Sequence, residues 1–472
     1  MNFSKLTLIE IRDLIASGKV SSEEVVTFFA EKSAQNSNLN AIVEVFDDAV
    51  ENARKIDAKI KAGEKVGILA GVPIAIKDNI LYKGKKMGCA SKFLQDFVAP
   101  YSATIVKKLL AEDAVIFGRT NMDEFAMGGS CENTCYGACH NAVDFDYVAG
   151  GSSGGSAVAV AAGLVPCAIG TDTGGSIRQP SSYNGTVGIK PTYGTVSRFG
   201  IVAFASSLDQ ASPIAKTIED CELVFKVIAG KDANDSTTIE NNFDFLKKEK
   251  YTLGLCKEVM EKYKSMAGYA KFAEALEKIK TKFDIVEVSV PHITNALACY
   301  YILSPAEATS NLARFDGVKY TSRFGSAQDL ESVYVESRSA GFGNEVKRRI
   351  MLGNFVLSSG YFDAYYNKAK KLQRLIKKEF KVAFEKCDAI ILPTTTGPAF
   401  KIGEKVGDPI SMYMEDLFTV PANIAGIPAI SVPFAKAENG LPLGMQFMAN
   451  DKNEAAMFEI AKIFDCAVGG VR

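Results

Sequence analysis

Apolar residues recur along this chain in two periods, and their alternation predicts its layout. Leu6, Leu8, Ile9, Ile11, Leu14 and Ile15 crowd one helical stripe, and the first 65 residues read as helical. Ser21-Ser22-Glu23-Glu24 offers a capping box for a second helix there. The run from Gly67 to Lys77 is mostly apolar and predicts a buried strand. Ser102 to Asp113 is amphipathic and predicts a helix, followed by a strand over Ala114 to Gly118. Ser156 to Gly163 is small and apolar enough to pack closely as a helix, and Leu164 to Ile169 reads as a strand. Strands are also predicted at Tyr251 to Cys256, Ala389 to Leu392 and Ile430 to Val432. Lys368 to Lys381 predicts a basic helix and Asn453 to Phe464 a closing one. Helices alternating with short apolar strands imply an α/β fold around a covered, partly parallel sheet.

Gly230 to Asn242 is polar and turn-rich, which marks it as a linker or a surface excursion. No repeat or low-complexity tract occurs, and no clear boundary isolates the middle of the chain. One large domain over residues 1–472 is therefore expected. A hydrophobic content of 47% and a charged content of 23% fit a globular chain with a large core. The net charge of −1 gives no global attraction for nucleic acid or acidic membrane, so any such contact needs a local patch. Ten cysteines without a disulfide-like pattern read as reduced thiols of a cytoplasmic protein. The start, Met1-Asn-Phe-Ser-Lys-Leu-Thr, lacks the apolar run of a signal peptide. The longest apolar stretch, 14 residues from Ala157 to Gly170, is too short to span a bilayer.

Glycine changes this picture most. Between Gly150 and Gly200 there are 12 glycines, against 39 in the whole chain. Such a cluster implies tight turns or close backbone approach. Here it flanks serines, in Gly150-Gly-Ser-Ser-Gly-Gly-Ser156 and Gly170-Thr-Asp-Thr-Gly-Gly-Ser176. A serine that attacks a carbonyl needs a base and a site for the developing oxyanion. The chain has only two histidines, His140 and His292, and neither lies in these clusters. Lys77, at the end of Pro73-Ile-Ala-Ile-Lys77, is the other choice. Lowering a lysine from ~10.4 to ~7 by desolvation costs about 4–5 kcal/mol, and the neutral amine can then act as a general base. Pro180 suits a first helical turn, so Ser176 is expected at the start of a helix running toward Gly185. The backbone N–H groups of Thr173, Gly174, Gly175 and Ser176 are then candidates for the oxyanion site.

These two clusters, with Lys77 placed before them, resemble the amidase signature family. The resemblance implies a Ser–Ser–Lys triad that hydrolyses amides, with Ser176 as the acyl-forming nucleophile, Ser152 as a bridging serine held by a cis peptide, and Lys77 as the base. It implies a single α/β domain with a mixed central sheet covered by helices on both faces, the signature core covering roughly residues 70–215. Thr120 to Met127, Lys190 to Gly200, Ala203 to Gln210, Ala306 to Gly317, Glu345 to Gly353 and Asp416 to Asn423 are similar to one branch of the family, the A-type subunits of aspartyl/glutamyl-tRNA amidotransferases. That branch implies a glutaminase working in a heterotrimer with subunits B and C. The ammonia goes to a partner that amidates misacylated tRNA, Glu-tRNA or Asp-tRNA, with ATP and Mg. No cofactor or metal is implied in this chain. Glutamine's α-carboxylate wants a guanidinium and its α-ammonium a carboxylate; Arg349 and Asp416, in the matching segments, are assigned those roles. Tyr300 or Tyr301 is expected to add a contact.

The chain departs from the family at Ala149, where proline is common, at Gly129, where serine is more usual, and at Cys131 and Cys135. Ser153 and Ser156 read as caps and network members, and Asp172 and Arg178 as hydrogen-bonding partners around the turn. Cys131, Cys135, Cys139 and His140 lack the usual zinc spacing and read as buried thiols. The basic helix reads as a solvated face or a tRNA contact. Two rival readings follow from the same residues: a stand-alone amidase for another small amide, and a phosphate-binding module on the glycine loops. The second lacks any Gly-x-x-x-x-Gly-Lys-Ser/Thr sequence.

Overall fold

The computed structural model describes residues 1–240, 243 and 245–470. Its strands are β1 (Ile42–Val45), β2 (Pro73–Lys77), β3 (Val115–Thr120), β4 (Cys167–Asp172), β5 (Val187–Lys190), β6 (Gln210–Ala215), β7 (Tyr251–Cys256), β8 (Phe283–Val288), β9 (Ala389–Pro393), β10 (Ala429–Lys436) and β11 (Pro442–Ala449). Among the described residues they join into one eleven-stranded sheet, in the order β1-β3-β2-β4-β6-β5-β10-β11-β9-β7-β8. β2 runs parallel to β3 and β4, and β7 parallel to β8 and β9. The remaining pairs are antiparallel, so the sheet is mixed. β2, β3, β4, β5, β6, β9 and β11 are buried at every position. A strand covered on both faces has no solvent side, which is why these runs lack apolar–polar alternation. Helices flank the sheet: Gly154–Ala161 packs on β4, Ile218–Ile228 on β6, and Glu454–Val468 on β10 and β11. The fold is a single α/β domain.

Several elements differ from expectation. The N-terminal region is not all helix, because Ile42–Val45 pairs with β3 at the edge of the sheet. Its β-branched residues favour a pleated, half-buried surface. The run from Gly67 becomes a strand only at Pro73; before it, Gly67 and Leu69 donate to Asp113 and Glu112 and wrap the end of helix Thr104–Ala111. β4 begins at Cys167 rather than Leu164, past Pro166, which has no N–H to give a ladder. The complete capping box lies at Thr7–Glu10; Ser21 makes only the forward bond to the Glu24 N–H. Residues 230–240 are a pinned excursion rather than a free linker, with Asp232 accepting from Ser197 and Thr104, and Asp235 from Arg198. Asn241 and Asn242 lie outside the described residues.

The topology places the chemistry. β2 and β4 are parallel and adjacent, so they end at the same side of the sheet. Lys77 is the last residue of β2, and the second glycine cluster leaves the end of β4. Ligand sites of open α/β sheets lie beyond such carboxyl ends.

Candidate active site

Lys77 has no exposed surface. Its Nζ lies 2.8 Å from Ser152 Oγ, 2.9 Å from Ser153 Oγ and 2.9 Å from Thr171 Oγ1. Among the described residues no carboxylate forms an ion pair with it. Burial is the largest influence on the amine and lowers its pKa to about 7, against the opposing pull of Asp123, Cys131, Asp172 and Asp209. The result is an amine near neutrality ringed by hydroxyl groups.

The Gly151–Ser152 peptide bond is cis. Gly151 N–H donates to Gln179 Oε1 at 2.9 Å. A side chain at Gly151 would place its Cβ 1.9 Å from Asp123 Oδ2, so only glycine fits. The Asp123 carboxylate accepts from the N–H groups of Cys131 (2.9 Å) and Asn133 (3.2 Å), and burial pushes its pKa up to about 7. Ser153 N–H donates to Ser176 O at 3.0 Å, tying the first glycine segment to the second. Ser176 is 7% exposed, whereas Lys77 and Ser152 are fully enclosed. Among the described residues no hydrogen bond joins Ser176 Oγ to Ser152 Oγ; the two segments meet through the backbone.

The turn after β4 departs from expectation in two ways. First, the buried Asp172 carboxylate accepts from Gly175 N–H at 2.9 Å and Ile177 N–H at 3.2 Å. Burial works against its ionisation, but the Arg178 charge and the bonds from Arg178 and Asn423 outweigh it and hold the pKa at about 2. Gly175 is therefore removed from the predicted oxyanion donors, because its N–H is already engaged. Helix Arg178–Asn184 likewise spends its N-terminal field on Asp172. The N–H groups of Thr173, Gly174 and Ser176 have no acceptor among the described residues. Second, Tyr300 and Thr419 press on the glycines. A Cβ on Gly174 would lie 2.6 Å from Tyr300 Cζ, and one on Gly175 would lie 2.2 Å from Thr419 Oγ1. The glycines admit these protein neighbours as well as any substrate.

Those neighbours lead to a second group of charges. Thr419 Oγ1 donates to Gly174 O at 2.7 Å, three residues after Asp416. Asp416 accepts from Tyr301 OH at 2.7 Å. Burial raises its pKa to about 7, opposed by the Tyr301 bond and the Arg349 charge. Arg349 is buried on helix Asn344–Leu357, its guanidinium carbon 5.2 Å from the Tyr301 ring, 5.3 Å from Tyr413 and 5.5 Å from Phe204. Tyr300 and Tyr301 thus divide the single contact expected of them: Tyr300 lies on the turn, and Tyr301 joins Arg349 and Asp416. At Gly129 a Cβ would meet only Met412 Sδ at 3.7 Å and Gln179 Nε2 at 3.9 Å, ordinary contacts, so the glycine leaves room there.

Four contributors escaped the sequence reading. Asp123 sits inside the segment Thr120 to Met127, and Thr171 closes the hydroxyl ring around Lys77. Glu345 stands one helical turn before Arg349, an ion-pair spacing visible in the sequence. Tyr413 precedes Asp416 by three residues. Ser153 is a network member but makes no side-chain cap bond. Cys131 and Cys139 are buried and Cys135 is half-buried. Among the described residues no group of three or more His, Cys, Asp or Glu could hold a metal ion.

A buried lysine joined to a serine beside a glycine-rich turn, on a mixed α/β sheet, is the arrangement of serine amidohydrolases that work without histidine. The amidase family profile matches residues 24–458, and the chain belongs to the amidase family. It is 46% identical over 477 residues to the A-type subunit, numbered 2, of the glutamyl-tRNA(Gln) amidotransferase of Clostridium acetobutylicum, covering 98% of this chain and 99% of that protein. It is 47% identical over 473 residues to the A-type subunit of the Chromobacterium violaceum glutamyl-tRNA(Gln) amidotransferase, with 98% of each covered. The crystal structure of the A-type subunit of the same amidotransferase from Thermotoga maritima superposes with a TM-score of 0.81 at 39% identity, over 98% of this chain and 95% of that one. The peptide amidase of Stenotrophomonas maltophilia has a TM-score of 0.84 at 26% identity, over 100% and 98%.

Proposed function

We propose that this chain is the glutaminase component of a tRNA-dependent amidotransferase. Ser176 Oγ attacks the side-chain amide carbon of glutamine. Its proton passes to Ser152 Oγ, whose own proton moves to the neutral Lys77 amine. The N–H groups of Thr173, Gly174 and Ser176 receive the oxyanion, and such donors typically contribute roughly 3–4 kcal/mol each. Protonated Lys77, through Ser152, returns a proton to the departing ammonia and leaves a glutamyl ester on Ser176. Water then cleaves that ester to glutamate. Substrate entry brings the two serine hydroxyls into line, since catalytic hydrogen bonds often tighten only in the complex.

The observation that carries this reading is the buried Lys77–Ser152 contact at 2.8 Å. Arg349 and Asp416 suit the carboxylate and ammonium of a free amino acid, and an amidase for an apolar amide would have no use for them. The similarity to A-type amidotransferase subunits over nearly the whole chain points the same way. Partner subunits B and C receive the ammonia and carry ATP, Mg and the misacylated tRNA; glutamyl-tRNA(Gln) is the acceptor favoured by the relatives' names, with Asp-tRNA(Asn) as a second. Supply of ammonia for tRNA amidation puts the site of action in the cytoplasm. Among the described residues no helix is long and apolar enough to cross a membrane.

Ser176→Ala, assembled with the partner subunits, tests the reading. Glutamine-dependent tRNA amidation falls by about 10³-fold or more, while amidation from ammonium persists. Full glutamine-dependent activity in that variant would sink the assignment.

A further inference from the structure

Glu345 and Tyr413 close a circuit around Arg349, Tyr301 and Asp416. Arg349 Nε donates to Glu345 Oε1 at 2.8 Å, and Tyr413 OH donates to the same oxygen at 2.9 Å. Arg348 binds the other carboxylate oxygen. The Tyr413 ring stacks on Tyr301, centroids 4.0 Å apart and planes 22° apart. Tyr301 OH in turn donates to Asp416 Oδ2 at 2.7 Å. The segment that carries Tyr413 and Asp416 is thus joined to helix Asn344–Leu357 by one hydrogen bond, and to helix Ala296–Leu312, which carries Tyr301, by one ring stack and one hydrogen bond. Glu345 and Arg349 are both buried. An arginine has five N–H donors in a fixed fork. Glu345 engages only Nε, and the terminal nitrogens have no acceptor among the described residues.

From this geometry we propose that Glu345 and Tyr413 are positioning residues that preset the pocket for a free α-amino acid bearing a side-chain amide. The proposal rests on the glutaminase reading. Glu345 holds the guanidinium so that its terminal N–H groups face a carboxylate, which they can grip bidentately. It also balances the Arg349 charge, so the pocket does not become a trap for any small anion. Tyr413 splints that arginine to Tyr301 and Asp416, which fixes the separation between the groups that read the carboxylate and the ammonium. A simple amide, or glutamine with its α-carboxyl converted to an amide, leaves the guanidinium without its substrate partner. Selectivity then comes from a spacing held by residues that do not touch the substrate.

Glu345→Gln and Tyr413→Phe, each assembled with the partner subunits, test this by steady-state hydrolysis of glutamine and of its α-amide. In Glu345→Gln the KM for glutamine rises about tenfold or more, with kcat changing much less, and the preference for glutamine over the α-amide shrinks. Tyr413→Phe keeps the ring and loses one hydrogen bond, so the same changes appear at about threefold to tenfold. A purely structural role would lower kcat and thermal stability together and leave the preference untouched. Should Glu345→Gln fail to assemble, Tyr413→Phe decides alone. A KM and preference within about twofold of wild type overturn the proposal. A wild-type complex that does not hydrolyse glutamine overturns the glutaminase reading itself, a separate outcome.

Discussion

Two groups of the site sit close to the pH at which they change charge. Lys77 is lowered to about 7 chiefly by burial, and Asp416 is raised to about 7 by the same cause. For Lys77 this amounts to about 5 kcal/mol of lost solvation at ~1.36 kcal/mol per unit. Because the folded value lies below the unfolded one, that cost is fully present below about pH 7 and fades as pH rises toward 10.5. In the proposed mechanism both groups need to lose a proton to work: Lys77 to act as base, Asp416 to hold an ammonium. The value of kcat/KM for glutamine, which reports the free enzyme, therefore climbs steeply below about pH 7 with a limiting logarithmic slope near 2, while kcat climbs with a slope near 1. Glutamine bound to Asp416 keeps that carboxylate ionised, which is why its titration leaves kcat. A pH profile of both constants checks this, and a kcat/KM that stays flat from about pH 5 to 8 contradicts it.

At the scale of elements, helix crossing sets the pocket. Helices Ala296–Leu312 and Asn344–Leu357 carry Tyr301 and Arg349. They approach at Gly353, where a Cβ would fall 2.1 Å from both Pro305 O and Thr309 Oγ1. Gly353→Ala gains about 1 kcal/mol of helix propensity. It has to push the helices apart, though, which costs about 1–3 kcal/mol and drags Arg349 from its aromatic seat. A lower melting temperature together with a raised KM for glutamine is expected; unchanged values would show that the crossing does not hold the pocket. The sequence made the strand-borne part of the site legible, because β2 and β4 are buried on both faces and read as plain apolar runs ending in Lys77 and a glycine turn. Elements that needed partners to exist were harder to see. β1 is four half-buried residues recruited by β3, and Asp172 captures the N–H groups of Gly175 and Ile177 only once the turn has closed. The Glu345–Arg349 spacing stood in the sequence, but the Tyr413 that completes it arrives from 68 residues away.

Across the whole molecule, the sheet carries the lysine and serine half of the site, while Tyr301 and Arg349 stand on helices and Asp416 on the segment before helix Val420–Ala425. The lysine strand and the serine turn sit toward the β1 end, and β10 and β5 connect them to the half that ends at β8. Arg178 spans the junction, binding Asp172 on one side and Asn423, Gln446 and Thr419 O on the other. The turn bearing Ser176 is thereby anchored to the segment bearing Asp416, and substrate recognition and chemistry are built as one rigid unit. The proposed chemistry has one defining product, a glutamyl ester on Ser176. The most direct measurement is acid-quenched mass spectrometry of the complex during glutamine turnover, with peptide mapping. One added glutamyl group is expected, on the peptide containing Ser176, and none in Ser176→Ala or in Lys77→Met. A glutamyl group on a cysteine or another serine, or one that still forms without Lys77, would contradict it.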